Sequence, residues 1–368
     1  MNSALLLLSQ NKSYNRKVFI DDSIQPHRFI AIKNHSSKLN MENKYQFNYV
    51  ESYKKANIIL FLVNSRENLI NLDPKYDYIF RVSTPIIILE RQDSAITWCR
   101  ELSKIKNLRG IFKNRIMRDI NMQNTENTIY GKYNYFLQSS IVKSNNLITE
   151  KRNDIGNKFF KENTILPKIE KEDLNKIKCV LWDLHSSPFK EDKENEYIEM
   201  SYFRNKEIVK DKTYDIFCIN QFKDNNFVDD PRKLAKEIVN GLSNKYSVLT
   251  NSKKVNSKEY RKLFEQSKIC VACWGFGEWV HMDAYAMYAG VILIKPHSDH
   301  VLMYPDIYKS YQTYIPCNHD YSNLKEVIID CLENYDKYKD MLIKNRNILK
   351  SINIEMICKE FWKSVFKN

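Results

Sequence analysis

Short apolar runs separated by polar, helix-like stretches recur along the whole chain. Two of them, Ile58-Ile59-Leu60-Phe61-Leu62-Val63 and Pro85-Ile86-Ile87-Ile88-Leu89, are continuous instead of alternating, the pattern of parallel strands covered on both faces. With Lys17–Asp21, Gly110–Lys113 and Cys179–Leu184 they predict the strands of the first half. The polar, Asn- and Lys-rich stretch from 115 to 175 carries no assignable pattern. Residues Lys190–Lys212 are strongly charged and read as an exposed connection.

The second half is clearer. Tyr214–Asn220 predicts a strand, and Asp229-Asp230-Pro231 a helix start followed by Leu234, Ile238, Val239 and Leu242 at helical spacing. Tyr246–Thr250 predicts a strand. Asn256–Ser267 predicts a helix opened by the capping pair Asn256 and Glu259. Strands at Ile269–Cys273, Val291–Lys295 and Thr313–Cys317 enclose a helix at Glu278–Ala289. Helices at Asn323–Tyr338, 339–350 and 353–366 finish the chain. The alternation predicts an α/β fold whose second half is a Rossmann-like, doubly wound unit.

A length of 368 residues at about 150 residues per domain implies two domains. Composition, 43% hydrophobic with only seven Gly and nine Pro, excludes a disordered or collagen-like chain. No apolar run reaches the ~20 residues that span a bilayer. Ala4–Leu8 lacks the basic flank of a secretory signal and reads as a first strand or buried segment. Eight scattered cysteines suit free thiols in a reducing cytoplasm. The net charge of +13 favours polyanionic partners.

The segment from Ile269 to Asp306 carries the chemistry. A buried strand runs into Gly275-Phe276-Gly277 and then a helix that starts near Glu278. In an open α/β sheet, ligands bind outside the carboxyl ends of the strands. A glycine pair lets backbone approach a ligand, and the helix N-terminus behind it suits a phosphate. The alternative is a tight turn that needs small residues, since G-x-G-x-x-G itself is absent. The next strand delivers Lys295-Pro296 to the same edge, with His297 and His300 following.

The series Gly275-Phe276-Gly277-Glu278, Asp283, Ala289-Gly290, Ile294-Lys295-Pro296, His300, Tyr304-Pro305-Asp306, Tyr314-Ile315-Pro316 and Asp320–Leu324 resembles the C-terminal nucleotide-sugar domain of GT-B glycosyltransferases. It is most similar to the group found in bacterial surface-polysaccharide clusters and some large viruses. The resemblance covers roughly residues 265 to 330 closely. Ile86–Glu90, Ile111–Asn114 and Arg118-Asp119 are similar to the family's first domain, less specifically. It implies two Rossmann-like domains facing a cleft: an acceptor-side domain at 1–205, a nucleotide-sugar domain at 206–350, and a final helix in 351–368 that crosses back to the first domain. Two positions depart from the family pattern: Tyr285 stands where many members place a second carboxylate, and Met282 where an Arg is common.

The donor-binding set this resemblance implies is Gly275, Phe276, Gly277, Glu278, Asp283, Lys295 and His300. Glu278 either accepts ribose or sugar hydroxyls or serves as an acid at the helix N-terminus. Five residues apart on one helix, Glu278 and Asp283 point to different sides, so both reach one ligand only if Glu278 sits in the loop. Lys295 at the end of a buried strand is either a phosphate contact or a surface lysine. His300 either donates to phosphate or sugar or has no role. An inverting transferase needs a general base for the acceptor hydroxyl. Asp183, Glu90 and Asp21 end first-domain strands and are the candidates, Asp183 and Glu90 being favoured because each directly ends an apolar run. Cys270 and Cys273 fall on opposite faces of a strand and read as core thiols. No D-x-D lies in a strand-to-loop setting, so no metal is expected, and no cofactor beyond the donor.

The implied function is metal-independent transfer of a sugar from a nucleotide-sugar to a glycan or glycolipid acceptor, by a cytoplasmic protein with peripheral contact to an anionic membrane and no specific nucleic-acid partner. The alternatives are a non-catalytic nucleic-acid- or glycan-binding protein on a degenerate transferase fold, and a sugar-nucleotide epimerase.

Overall fold

The computed structural model describes residues 16–21, 37, 39–64, 74–91, 104–124, 169–180, 206–219, 229–250, 256–273, 278, 281–352 and 354–367. They form two parallel sheets. The first contains β1 (Arg16–Asp21), β2 (Phe47–Tyr49), β3 (Ile58–Asn64), β4 (Ile86–Arg91), β5 (Leu108–Lys113) and β7 (Ile177–Cys179), in the order β2-β1-β3-β4-β5-β7. The second contains β8 (Tyr214–Phe217), β9 (Val248–Leu249), β10 (Ser267–Val271), β11 (Ile292–Pro296) and β13 (Ile315–Cys317), in the order β9-β8-β10-β11-β13. All neighbours in both sheets are parallel. Both sheets start with the order 2-1-3, so each has a topological switch point between its first and third strands.

The continuous apolar runs have a direct cause. Leu60, Leu62, Ile87 and Leu89 point to one face of the first sheet, and Ile59, Phe61, Ile86 and Ile88 to the other. In the second sheet Phe217 and Cys270 enter one core while Ile216, Ile269 and Val271 enter the opposite one. Helices α4 (Ser257–Glu265) and α5 (His281–Ala289) cover the first of these faces, and α3 (Asp229–Asn240) and α6 (Leu324–Glu333) the second. Asn256 caps α4, its Oδ1 accepting from the Glu259 amide at 3.0 Å. Gly290 ends α5 in the left-handed region at φ 62°, and a Cβ there would come within 2.7 Å of the Ile208 side chain. After α7 (Lys339–Ser351), α8 (Ile354–Phe366) leaves the second sheet's helices and buries Phe361, Trp362 and Val365 against Val18, Phe47 and Phe112 of the first.

Two short strands join the halves. β6 (Arg115–Met117) follows β5 after one residue, and β12 (Val301–Met303) follows β11 after four. They pair antiparallel, Met303 opposite Arg115 and Val301 opposite Met117. Because each continues from the carboxyl end of a sheet strand, the carboxyl edges of the two sheets meet at this ribbon. Arg118 reinforces it. Its Nη1 and Nη2 donate to the Asp306 carboxylate at 3.1–3.3 Å, and its Nε to the Asp299 carbonyl at 2.9 Å. The result is an α/β molecule, two Rossmann-like parallel sheets set carboxyl edge to carboxyl edge. Among the described residues, no helix is long and apolar enough to cross a membrane.

Candidate active site

The second sheet's switch point lies between β8 and β10, and the chain leaving β10 reaches the mouth of that sheet. Gly275, Phe276 and Gly277 lie outside the described residues. Glu278, just beyond them, is 2% exposed and precedes the first described turn of α5 at His281. It therefore occupies the approach to the helix and not the helix itself, the condition under which Glu278 and Asp283 can serve one site.

Lys295 departs from both alternatives read from the sequence. It is neither a surface lysine nor turned outward to a phosphate. Its Nζ lies 2.5 Å from Asp283 Oδ2 and donates to the Glu278 carbonyl at 2.8 Å, with the Lys and Asp side chains 2% and 0% exposed. The Tyr308 and Tyr314 rings flank the ammonium at 5.8 and 5.9 Å. Asp283 is correspondingly fully buried against Lys295. Tyr285 also points inward, edge-on to Phe264. A different cation acts near the end of β10. Arg232, in the first turns of α3 after β8, is close enough to Cys273 for its charge to oppose the upward push that burial gives that thiol.

His300 is partly buried near His319, with ring centroids 5.9 Å apart. Burial, then the nearby His319 and His297, push its pKa down to about 3, while Asp299 works in the opposite direction. Its ring is neutral at pH 7, so it offers a hydrogen bond and not a cation. Unfolding restores an ordinary histidine, which takes up a proton below about pH 6.5. Folding stability is thus complete above that pH and falls as pH drops toward 3. His319, also lowered chiefly by burial, acts in the same direction. Thermal melts from pH 7 to 4 should show this loss, and His300→Gln should make the curve shallower. An unchanged slope in the variant would contradict the placement.

The first-sheet candidates separate. Asp183 lies outside the described residues. Glu90 is fully buried, paired with Lys113 at 2.9 Å, both side chains 0% exposed and directly opposite in the β4–β5 register. That burial keeps its carboxylate away from an outside hydroxyl. Asp21 ends β1, opposite Phe61 of β3, at the first sheet's switch point. Cys270 and Cys273 are buried in opposite cores, and burial raises both thiols, Cys273 to about 11.

Sequence reasoning missed Arg232, Tyr308 and the Arg118–Asp306 link. The charged helix start at 229–231 marks the place of Arg232. Asp306 lies 188 positions from Arg118, beyond the reach of any spacing rule.

No protein-family model matches the chain, and no curated protein does either. Among solved structures it is similar to an α1,3-fucosyltransferase with GDP-fucose, at 11% identity and TM-score 0.41, over 97% of this chain and 92% of that one. It is also similar to TarM, at 13% identity and TM-score 0.38, over 76% of this chain and 55% of that one. A putative UDP-N-acetylglucosamine 2-epimerase from Listeria monocytogenes gives 11% identity and TM-score 0.34, over 96% of this chain and 97% of that one. Likenesses this distant assign no function to the chain.

Proposed function

We propose that the protein is a glycosyltransferase that moves a sugar from a nucleotide-sugar donor to a hydroxyl of a glycan or lipid-linked acceptor. The observation that carries this reading is the meeting of two switch-point sheets at their carboxyl edges, with the buried Glu278 at the mouth of the second. A doubly wound sheet binds ligands at that edge, and two such edges in apposition supply two substrate sites for one transfer. Glu278 accepts hydrogen bonds from ribose or sugar hydroxyls. Arg232 and the N-terminus of α5 offset the charge of the leaving phosphate. Gly275, Phe276 and Gly277 carry the backbone approach to the donor, and His300 donates as a neutral ring. Asp21, at the mouth of the first sheet, is the general base for the acceptor hydroxyl, ahead of Asp183 and Glu90. Positioning two substrates, more than covalent chemistry, is the protein's main contribution.

Metal independence, cytoplasmic location and peripheral contact with an anionic surface complete the proposal. The described cysteines are free thiols, and the net charge is +13; both suit these surroundings. Purified protein incubated with UDP-, GDP- and CMP-sugars, with and without chelator, tests it. Turnover or donor hydrolysis that survives the chelator is expected. Absence of both turnover and nucleotide binding with every donor would reject the function.

A further inference from the structure

A buried ion pair is rarely kept for stability alone. Desolvating both charges costs about as much as their attraction returns, and well-packed apolar replacements are often neutral or better. The Lys295–Asp283 pair is nevertheless sealed in the core, and its ammonium has a further task. It donates to the Glu278 carbonyl, so one side chain ties β11, α5 and the approach to α5 together. The tyrosine rings on either side limit where that ammonium can sit.

We propose that Lys295 and Asp283 are positioning residues: Asp283 aims the Lys295 ammonium, the ammonium holds the Glu278 backbone, and the Glu278 carboxylate is thereby set toward the hydroxyls of the donor. This deepens the functional reading above and rests on it. Neither residue touches the donor, and Lys295 contributes no charge to the phosphate. A neutral polyhydroxyl group, ribose or sugar, is what the pair indirectly recognises.

The test uses the double variant Lys295→Met/Asp283→Leu in the full chain, because either single change strands a buried charge. The double variant should fold, with a melting temperature within a few degrees of the parent. Its donor KM should rise about 10-fold or more while kcat changes by less than about 3-fold. The Glu278 amide should exchange its hydrogen about 10–100-fold faster, a readout that needs no substrate. Unchanged exchange together with an unchanged donor KM would overturn the positioning role. Failure of the double variant to fold would overturn it as well, since the pair would then be a stability element. Faster exchange in the variant, joined to a parent that binds no nucleotide-sugar, would support the positioning while rejecting the functional reading beneath it.

Discussion

Glu278→Gln is expected to weaken nucleotide-sugar binding by about 10–100-fold while leaving the fold intact. A hydrogen bond to a charged group contributes about 1.5–3 kcal/mol, and each 1.4 kcal/mol is a factor of about ten in affinity. Gln keeps the volume of the buried side chain and one acceptor oxygen, but replaces the other with a donor that hydroxyls cannot satisfy equally. The Lys295 contact is made to the Glu278 carbonyl, not its side chain, so the local backbone should survive the change. Isothermal titration with the donor measures the loss, and a melt of the same sample checks the fold. Equal affinity in parent and variant would show that the carboxylate does not reach the ligand.

The second large effect falls on the first sheet. Lys113→Met removes the ammonium that pairs with the Glu90 carboxylate in a site where both side chains are fully buried. Breaking such a pair costs about 3–5 kcal/mol, which translates to roughly 6–20 °C in Tm for a domain of this class. Replacing both residues, Lys113→Met with Glu90→Leu, should recover most of that loss. The comparison also decides the role of Glu90. A general base would lose kcat on conversion to Gln with little change in Tm. A paired core residue should lose Tm, with the kcat of the folded fraction within a few-fold of the parent. Denaturant melts and single-turnover rates on the same preparations distinguish the two.

The architecture was legible where the residues carried a long, one-signed pattern. The isoleucine-rich runs of β3 and β4 announced coverage on two faces, and the structure sends alternate side chains to two cores. The helices at 229–240 and 257–265 could be read from their starts, spacing and caps. The ribbon of β6 and β12 could not, because three-residue strands have too few positions to display a period. At the site, Lys295 and Asp283 were both visible as charged residues in an apolar setting. That they satisfy each other was not, since sequence position does not fix where a long side chain ends. The low pKa of His300 likewise depends on burial and on His319 and His297, neighbours brought by the fold of the loop after β11. Sheet order was equally hidden, because no short segment shows that the end of β1 lies at the first sheet's switch point.

The proposed transfer requires a nucleotide-sugar to bind at the mouth of the second sheet. Methyl spectra of isoleucine-labelled protein, titrated with UDP-, GDP- and CMP-sugars, address this directly. Ile219 follows β8 and Ile294 adjoins Lys295, so both report on the mouth of the second sheet. With one of the three donors, shifts are expected at Ile219 and Ile294 and should be lost in Glu278→Gln. Shifts confined to Ile79, Ile105 and Ile169 in the first sheet's core, or none with any donor, would contradict it.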